Sequence, residues 1–311
     1  MTPTLQIVMY HYIRDLPNTP FPRIKGMLTR DFRQQVDMLR GRYEMATLES
    51  ALAFVQGTYT PTRDLCLLTF DDGLQEHYTD VTPLLMEYNI QGLFFMITGC
   101  VQDHRVASVH MNHFLMAMLD FEVYRSTFLR RLQDVAPQAL DVSEVDPAVV
   151  KRTYRWDSLE VASFKYFFNF VLDWRVRDSV LQSLFEEHIA TEETFSQALY
   201  FSWEEARHMQ AAGMLIGGHS HQHRPLATLS PEELAWDLTA CHCLLVEHLH
   251  PQSLQPFCYP YGKQDSFNDT TVRRLKELRF DCAFSTEIGT NGPGMNTFVL
   301  HRFDCKDVPN A

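Results

Sequence analysis

The sequence predicts an α/β fold, a barrel of parallel strands in a single domain over residues 1–311, with a helical insertion at about 101–200. Three observations carry that reading. Toward both ends of the chain, apolar runs of strand length alternate with segments of helical period, as parallel strands joined by crossover helices require. Between about Val101 and Tyr200 the alternation stops and helical spacing takes over. Three polar clusters, Asp71-Asp72, His219 to His223 and Pro260-Tyr261-Gly262, each follow an apolar run. In a parallel barrel, those strand ends converge on the face that carries the active site.

Taken in order, Thr4 to Tyr10 reads as a short buried strand, followed by a loop rich in proline (Pro17, Pro20, Pro22). From Thr29 to Tyr43, Phe32, Val36 and Leu39 recur at spacings of four and three, which predicts a helix packed on a core. Leu65 to Phe70 is an apolar strand, Thr79 to Tyr88 a helix, and Gly92 to Ile97 the next strand. The insertion holds amphipathic segments, among them Phe164 to Val176 and Val180 to Ile189. Pro137 and Pro147 bracket an acidic stretch expected to be a surface loop. Ser202-Trp203-Glu204-Glu205 is a capping-box pattern, and Gly213 is placed to end its helix. Met214 to Gly218 is a strand; Ser230-Pro231-Glu232-Glu233 opens a helix that runs to about His248. Leu254 to Tyr259, a helix from Asn268 to Leu278, and strands near Cys282 to Ser285 and Phe298 to Phe303 complete the pattern.

Composition narrows the functional classes. With 27 basic and 39 acidic side chains, the net charge of −12 repels phosphate backbones, so nucleic acid is not an expected partner. Seven scattered cysteines without a CxxC pair do not form a disulfide framework and predict reduced thiols. No run approaches the roughly eighteen apolar residues needed to cross a bilayer. Met1 to Tyr10 shows neither a basic n-region nor a long apolar core, so the expectation is a cytoplasmic protein without an export signal.

The polar clusters suggest chemistry. His219 and His223, four apart, can share one face of a helical turn and reach one metal; in an extended stretch His219, His221 and His223 would instead face one way. Two imidazoles and a carboxylate make an open metal site with room for water and a substrate oxygen. The bland alternative is a solvated His-rich loop. Asp71-Asp72-Gly73 is equally consistent with a turn, or with one carboxylate on a metal and the other free to take a proton from water.

Together these pieces resemble the polysaccharide deacetylases, the NodB-homology or carbohydrate esterase 4 family. Its first motif, Thr-Phe-Asp-Asp-Gly, is complete as Thr69-Phe70-Asp71-Asp72-Gly73, and its second, His-Ser/Thr-x-x-His, as His219-Ser220-His221-Gln222-His223. The third is approximated by Phe257-Cys258-Tyr259-Pro260-Tyr261-Gly262. The resemblance covers about residues 1–100 and 200–305 and leaves the insertion unmatched. It implies a distorted (β/α)7-type barrel and metal-dependent removal of an N-acetyl group from an amino sugar. By that resemblance Asp71 is the general base, and Asp72, His219 and His223 hold one divalent ion, zinc by default, with iron, cobalt, nickel or manganese as alternatives. The backbone N–H of Tyr261 would hold the oxyanion, and His301, in Val299-Leu300-His301, would be the general acid. His11, Tyr259 and Pro260 would line the substrate site.

Two departures stand out. Cys258 occupies the place of the family arginine that braces the catalytic aspartate, and Arg302 is a candidate source of the missing charge. Related sequences also read Leu-Pro-Arg where this chain has Leu300-His301-Arg302, which would leave His301 incidental. Cys258 itself is not expected to be a nucleophile, and His221 is not expected to be a ligand. His110 and His113 could face the substrate but fit packing or surface roles better, and Phe164, Tyr166, Phe167, Phe168 and Phe170 read as core of the insertion. A protein without an export signal would act on a nucleotide- or lipid-linked precursor of a surface glycan, with the insertion as a lid, a pocket wall or a contact between copies in a homo-oligomer. The rival readings are hydrolysis of a non-sugar amide or formamide, and a non-catalytic carbohydrate-binding relative.

Overall fold

The computed structural model describes residues 3–140 and 146–308. The acidic stretch between Pro137 and Pro147 therefore lies largely outside the described residues. Eight strands form one sheet: β1 (Leu5–Tyr10), β2 (Glu44–Met45), β3 (Leu65–Phe70), β4 (Gly92–Met96), β5 (Leu215–Gly218), β6 (Pro256–Cys258), β7 (Cys282–Phe284) and β8 (Phe303–Asp304). The order is β7-β6-β5-β4-β3-β1-β8, with β2 paired off this path to β3. Every ladder is parallel, the longest running from Leu5 opposite Leu65 to Tyr10 opposite Phe70. Phe284 of β7 also bridges in parallel to Leu300, just ahead of β8. The two ends of the strand order thus meet along residues 300–304, and the sheet curls into a distorted (β/α) barrel.

Because strand side chains alternate between faces, each strand feeds two cores. Leu5, Ile7, Leu65, Leu67, Leu93, Phe95, Cys258, Cys282, Phe284 and Leu300 share one cluster on the inner face. The helix Leu48–Val55 contributes Leu48, Ala51, Leu52, Phe54 and Val55 to that same cluster. Val8, Tyr10, Leu68, Phe70, Phe94, Ile216, Phe257 and Tyr259 face the other way, into the layer between the sheet and its helices. Both faces being buried explains why these strands read as continuous apolar runs rather than as alternating ones.

The helices begin where their caps predict. Thr47, Ser202, Ser230 and Asn268 each close a capping box, for helices Leu48–Val55, Trp203–Ala211, Pro231–His248 and Asp269–Glu277. Gly213 takes φ +86° between helix Trp203–Ala211 and β5, a conformation for which glycine carries no Cβ penalty.

The described residues divide into two compact units: the barrel, and a helical unit of Pro17–Ile24 with His104–Phe195. The proline-rich loop therefore belongs with the insertion. Within the helical unit, Phe128 packs against Tyr124, Phe164 and Phe168, while Phe21 packs against Phe114 and Phe195. Tyr166 and Phe170 stack on each other, so the aromatic run from 164 to 170 is spent on packing. Lys165 and Asp157 form a buried ion pair at 2.8 Å in the same unit. All seven cysteines are free thiols, and Cys241 is buried where Cys243 is exposed, as two residues on diverging faces of one helix should be.

Candidate active site and metal centre

Strand parity brings the site together. Residues in step with the inner face continue past the strand ends as His11 after β1, Asp71 after β3, His219 after β5 and Cys258 at the end of β6. The same step along the closing segment puts Leu300 inside the barrel and Arg302 above it. Asp71 extends the β1–β3 ladder by one bond, its N–H donating to the Tyr10 carbonyl at 2.9 Å. Asp72 and Gly73 then turn away at φ +81° and +70°. A side chain at position 73 would press on Met96 at 3.0 Å, so only glycine fits that turn comfortably.

Asp72, His219 and His223 form a buried triangle of donor atoms. His219 Nε2 and His223 Nε2 lie 3.2 Å apart, and each lies 3.4 Å from Asp72 Oδ1. Ligand atoms at the roughly 2.0–2.1 Å typical of zinc in a tetrahedral site sit about 3.3–3.4 Å from one another. Both the chemistry and the spacing of the three residues therefore fit a divalent ion. The His219 ring is held by Nδ1, which lies 2.8 Å from the Cys258 carbonyl. A carbonyl can only accept a hydrogen bond, so Nδ1 carries the N–H and Nε2 keeps its lone pair toward the triangle.

Asp71 is not part of the triangle. Its two carboxylate oxygens take a bidentate pair of bonds from Arg302, Nη1 to Oδ1 and Nη2 to Oδ2, both at 2.8 Å. Arg302 is wholly buried; its Nε donates to the Ser285 carbonyl at 2.8 Å, Nη1 also to Thr69 Oγ1 at 3.1 Å, and Nη2 also to Cys258 Sγ at 3.0 Å. Burial alone would push the Asp71 carboxyl up, but the guanidinium outweighs it and brings the pKa down to about 2. Arg302 thus supplies the charge that Cys258 cannot. Cys258 lies 3.5 Å from Asp71 Oδ2, and burial raises its thiol pKa, so it is present as a neutral thiol rather than a nucleophile.

His11 stands at the open side of this pair, Nε2 3.8 Å from Asp71 Oδ2, with 41% of its side chain exposed. His77 steadies its backbone: Nε2 of His77 lies 2.9 Å from the His11 carbonyl, and burial lowers the His77 pKa to about 4, which keeps that ring neutral. Tyr261, at φ +64°, places its ring 5.2 Å from that of His223. Pro260 is buried beside it.

Two expected site residues are out of step with the inner face. Tyr259 is one step out of phase with Cys258, so it faces the outer core, fully buried, stacked on Phe267 with its hydroxyl donating to the Phe298 carbonyl at 3.0 Å. It has no surface to offer a substrate. His301 is likewise one step out of phase with Arg302, and its ring lies against Gly289, where an added Cβ would come 2.7 Å from Nδ1. His221 also leaves the triangle: Nδ1 lies 3.1 Å from Thr98 Oγ1, Nε2 lies 3.6 Å from Asp103, and the ring meets Trp236 edge-on. His110 is buried in the helical unit, its ring 6.3 Å from that of His113.

The functional residues that motif reading did not single out are Thr69 and Ser285, which seat Arg302, and His77, which seats His11. The period-two alternation through Val299 to Phe303 was a signal available for Arg302; nothing in the sequence pairs His77 with His11.

Comparisons with known proteins bear on the family and the fold. The family model described as polysaccharide deacetylase matches residues 58–283. YxkH of Bacillus subtilis (strain 168) is 25% identical over 136 residues, 43% of this chain and 46% of that protein, so the match spans under half of the relative. Among solved structures, the Streptococcus pyogenes deacetylase PplD in complex with acetate aligns with a TM-score of 0.59 at 15% identity, over 98% of this chain and 93% of that one. IcaB from Ammonifex degensii aligns at 0.56 and 21% identity, over 96% and 91%. The deacetylase domain of BpsB from Bordetella bronchiseptica aligns at 0.57 and 16%, over 97% and 95%. At these identities the structures speak for the fold, and the family model, which spans well over half of the sequence, establishes that the chain belongs to the polysaccharide deacetylase family, hydrolases of carbon–nitrogen bonds other than peptide bonds.

Proposed function

We propose that the protein removes N-acetyl groups from amino-sugar residues of a glycan, consuming water and releasing acetate and a free amine. The observation that carries this reading is the pairing of an ionised, Arg302-braced Asp71 with the adjacent donor triangle of Asp72, His219 and His223. A binding module has use for neither a buried base nor its guanidinium brace.

Asp72, His219 and His223 would hold a divalent ion, zinc on the evidence of the donor set, which when bound supplies Lewis acidity to a carbonyl and acidifies water. Asp71 takes the proton of the attacking water. Held near the bottom of the carboxylate range, it is ionised throughout physiological pH but is a weak base, so it works only on an acidified water. Arg302 keeps the carboxylate charged and aims both oxygens. The backbone N–H of Tyr261 is proposed to stabilise the tetrahedral oxyanion, an interaction worth roughly 3–4 kcal/mol where a comparable donor has been removed. His11, at the solvent side of Asp71, is the group proposed to give the departing amine its proton, since its Nε2 lies 3.8 Å from Asp71 Oδ2, whereas the His301 ring lies against Gly289.

The reading is tested by metal content of protein purified without added metal, together with acetate release from N-acetylglucosamine oligomers. Wild type is expected to hold about one equivalent of a transition ion and to release acetate, and His223→Ala to lose both. A wild-type protein that takes up no zinc on titration would overturn the proposal.

A further inference from the structure

The stretch between the two histidine ligands is gripped from both sides by groups that touch neither Nε2 donor. Asp237, on helix Pro231–His248 and 1% exposed, accepts the His221 N–H on Oδ1 at 2.9 Å and the Gln222 N–H on Oδ2 at 3.0 Å. From the start of helix Thr98–Gln102, which follows β4, the N–H groups of Thr98 and Gly99 donate to the carbonyls of Ser220 and His221 at 3.2 and 2.9 Å. Gly99 leaves no space to spare, because an added Cβ would lie 2.5 Å from the His221 carbonyl oxygen. Within the loop, the Ser220 hydroxyl accepts the His223 N–H at 2.8 Å. Ser220 and His223 sit at φ +61° and +53°, a region non-glycine residues rarely adopt and hold only where the surroundings over-determine it.

We infer that Asp237 and Gly99 are positioning residues, the two jaws of a backbone clamp that presets His219 and His223 for the ion. The inference rests on the metal reading above. Only a carboxylate offers two acceptor oxygens to two successive N–H donors; an asparagine would turn an NH2 toward one of them and leave that buried N–H unsatisfied. Gly99 acts from the opposite side, by allowing its N–H to approach the His221 carbonyl. Both residues lie outside the donor triangle and bond to the loop backbone, so the effect of both passes through that backbone.

The test uses the full chain with Asp237→Asn and Gly99→Ala, titrated with Zn2+ against a chromophoric chelator and, separately, loaded with Co2+ for its visible d–d spectrum. Outer contacts of this kind set metal affinity by roughly 10–100-fold, and a loss of that size is expected in each variant. The Co2+ bands are expected to shift, while the far-UV circular dichroism of the metal-free variants matches wild type. A purely structural role would lower the melting temperature of both variants and leave zinc affinity and Co2+ bands at wild-type values, which overturns the clamp. Should Asp237→Asn not fold, Gly99→Ala decides the matter by the same readouts. A wild-type protein that binds no zinc would overturn the metal reading itself, and the two failures are thereby told apart.

Discussion

Arg302 and Asp71 set the chemistry of the site between them. The folded-state pKa of Asp71, about 2, lies below its ordinary value of 3.8, so the pair stabilises the fold above the ordinary value and loses that contribution as pH falls through about 2. Replacing Arg302 with methionine strands a buried carboxylate, which should cost roughly 3–5 kcal/mol at neutral pH in urea unfolding of the metal-free protein. The gap to wild type should narrow as pH is lowered toward 4, because the stranded carboxyl, its pKa raised, can then be neutralised by protonation. A gap independent of pH would mean that Arg302 acts through packing alone. At the same scale, His11→Ala should reduce kcat by roughly 10²–10⁴-fold. His301→Ala should leave turnover near wild type, and the reverse order of effects would return the acid role to His301.

The strands decide which residues meet. Apolar runs such as Leu65–Phe70 and Gly92–Met96 are legible because parallel strands buried on both faces leave few polar positions. Capping boxes at Ser202 and Ser230 mark helix starts through side-chain chemistry that needs no tertiary context. Asp71, Asp72, His219 and His223 were legible as a compact motif at strand ends. The facing of Tyr259 and His301 was not legible because their motifs name a neighbourhood, whereas a face is assigned by counting in twos from the core: Cys258 in, Tyr259 out; Leu300 in, His301 out, Arg302 in. The helix Leu48–Val55 was missed since eight residues give too few turns for a period to show. Close strand approach yields a prediction here. At Gly217 an added Cβ would come 2.5 Å from the Pro256 carbonyl, so Gly217→Ala should force β5 from β6 and destabilise by roughly 1–3 kcal/mol in urea unfolding. Unchanged stability would show that the β5–β6 contact yields easily.

For the whole molecule, folding and metal binding should be coupled, since the three donors come from β3 and β5 ends that are separated by more than a hundred residues of sequence. Zinc at a hundred times its dissociation constant should raise stability by about 2.7 kcal/mol, reversed by a chelator, and read as a rise in melting temperature. Among the described residues no helix is long and apolar enough to cross a membrane. The chain's own scaffold unit, with one barrel end gathering His11, Asp71, Asp72, His219, His223, Tyr261 and Arg302, is the basis of the functional claim. That claim is tested most directly by acetate release from N-acetylglucosamine oligomers, comparing zinc-loaded wild type with Asp71→Asn at matched metal content. Wild type should release one acetate per free amine formed, and Asp71→Asn should keep its zinc yet turn over roughly 10²–10⁴-fold more slowly. Acetate release by Asp71→Asn at the wild-type rate, or none from zinc-loaded wild type, would contradict the account.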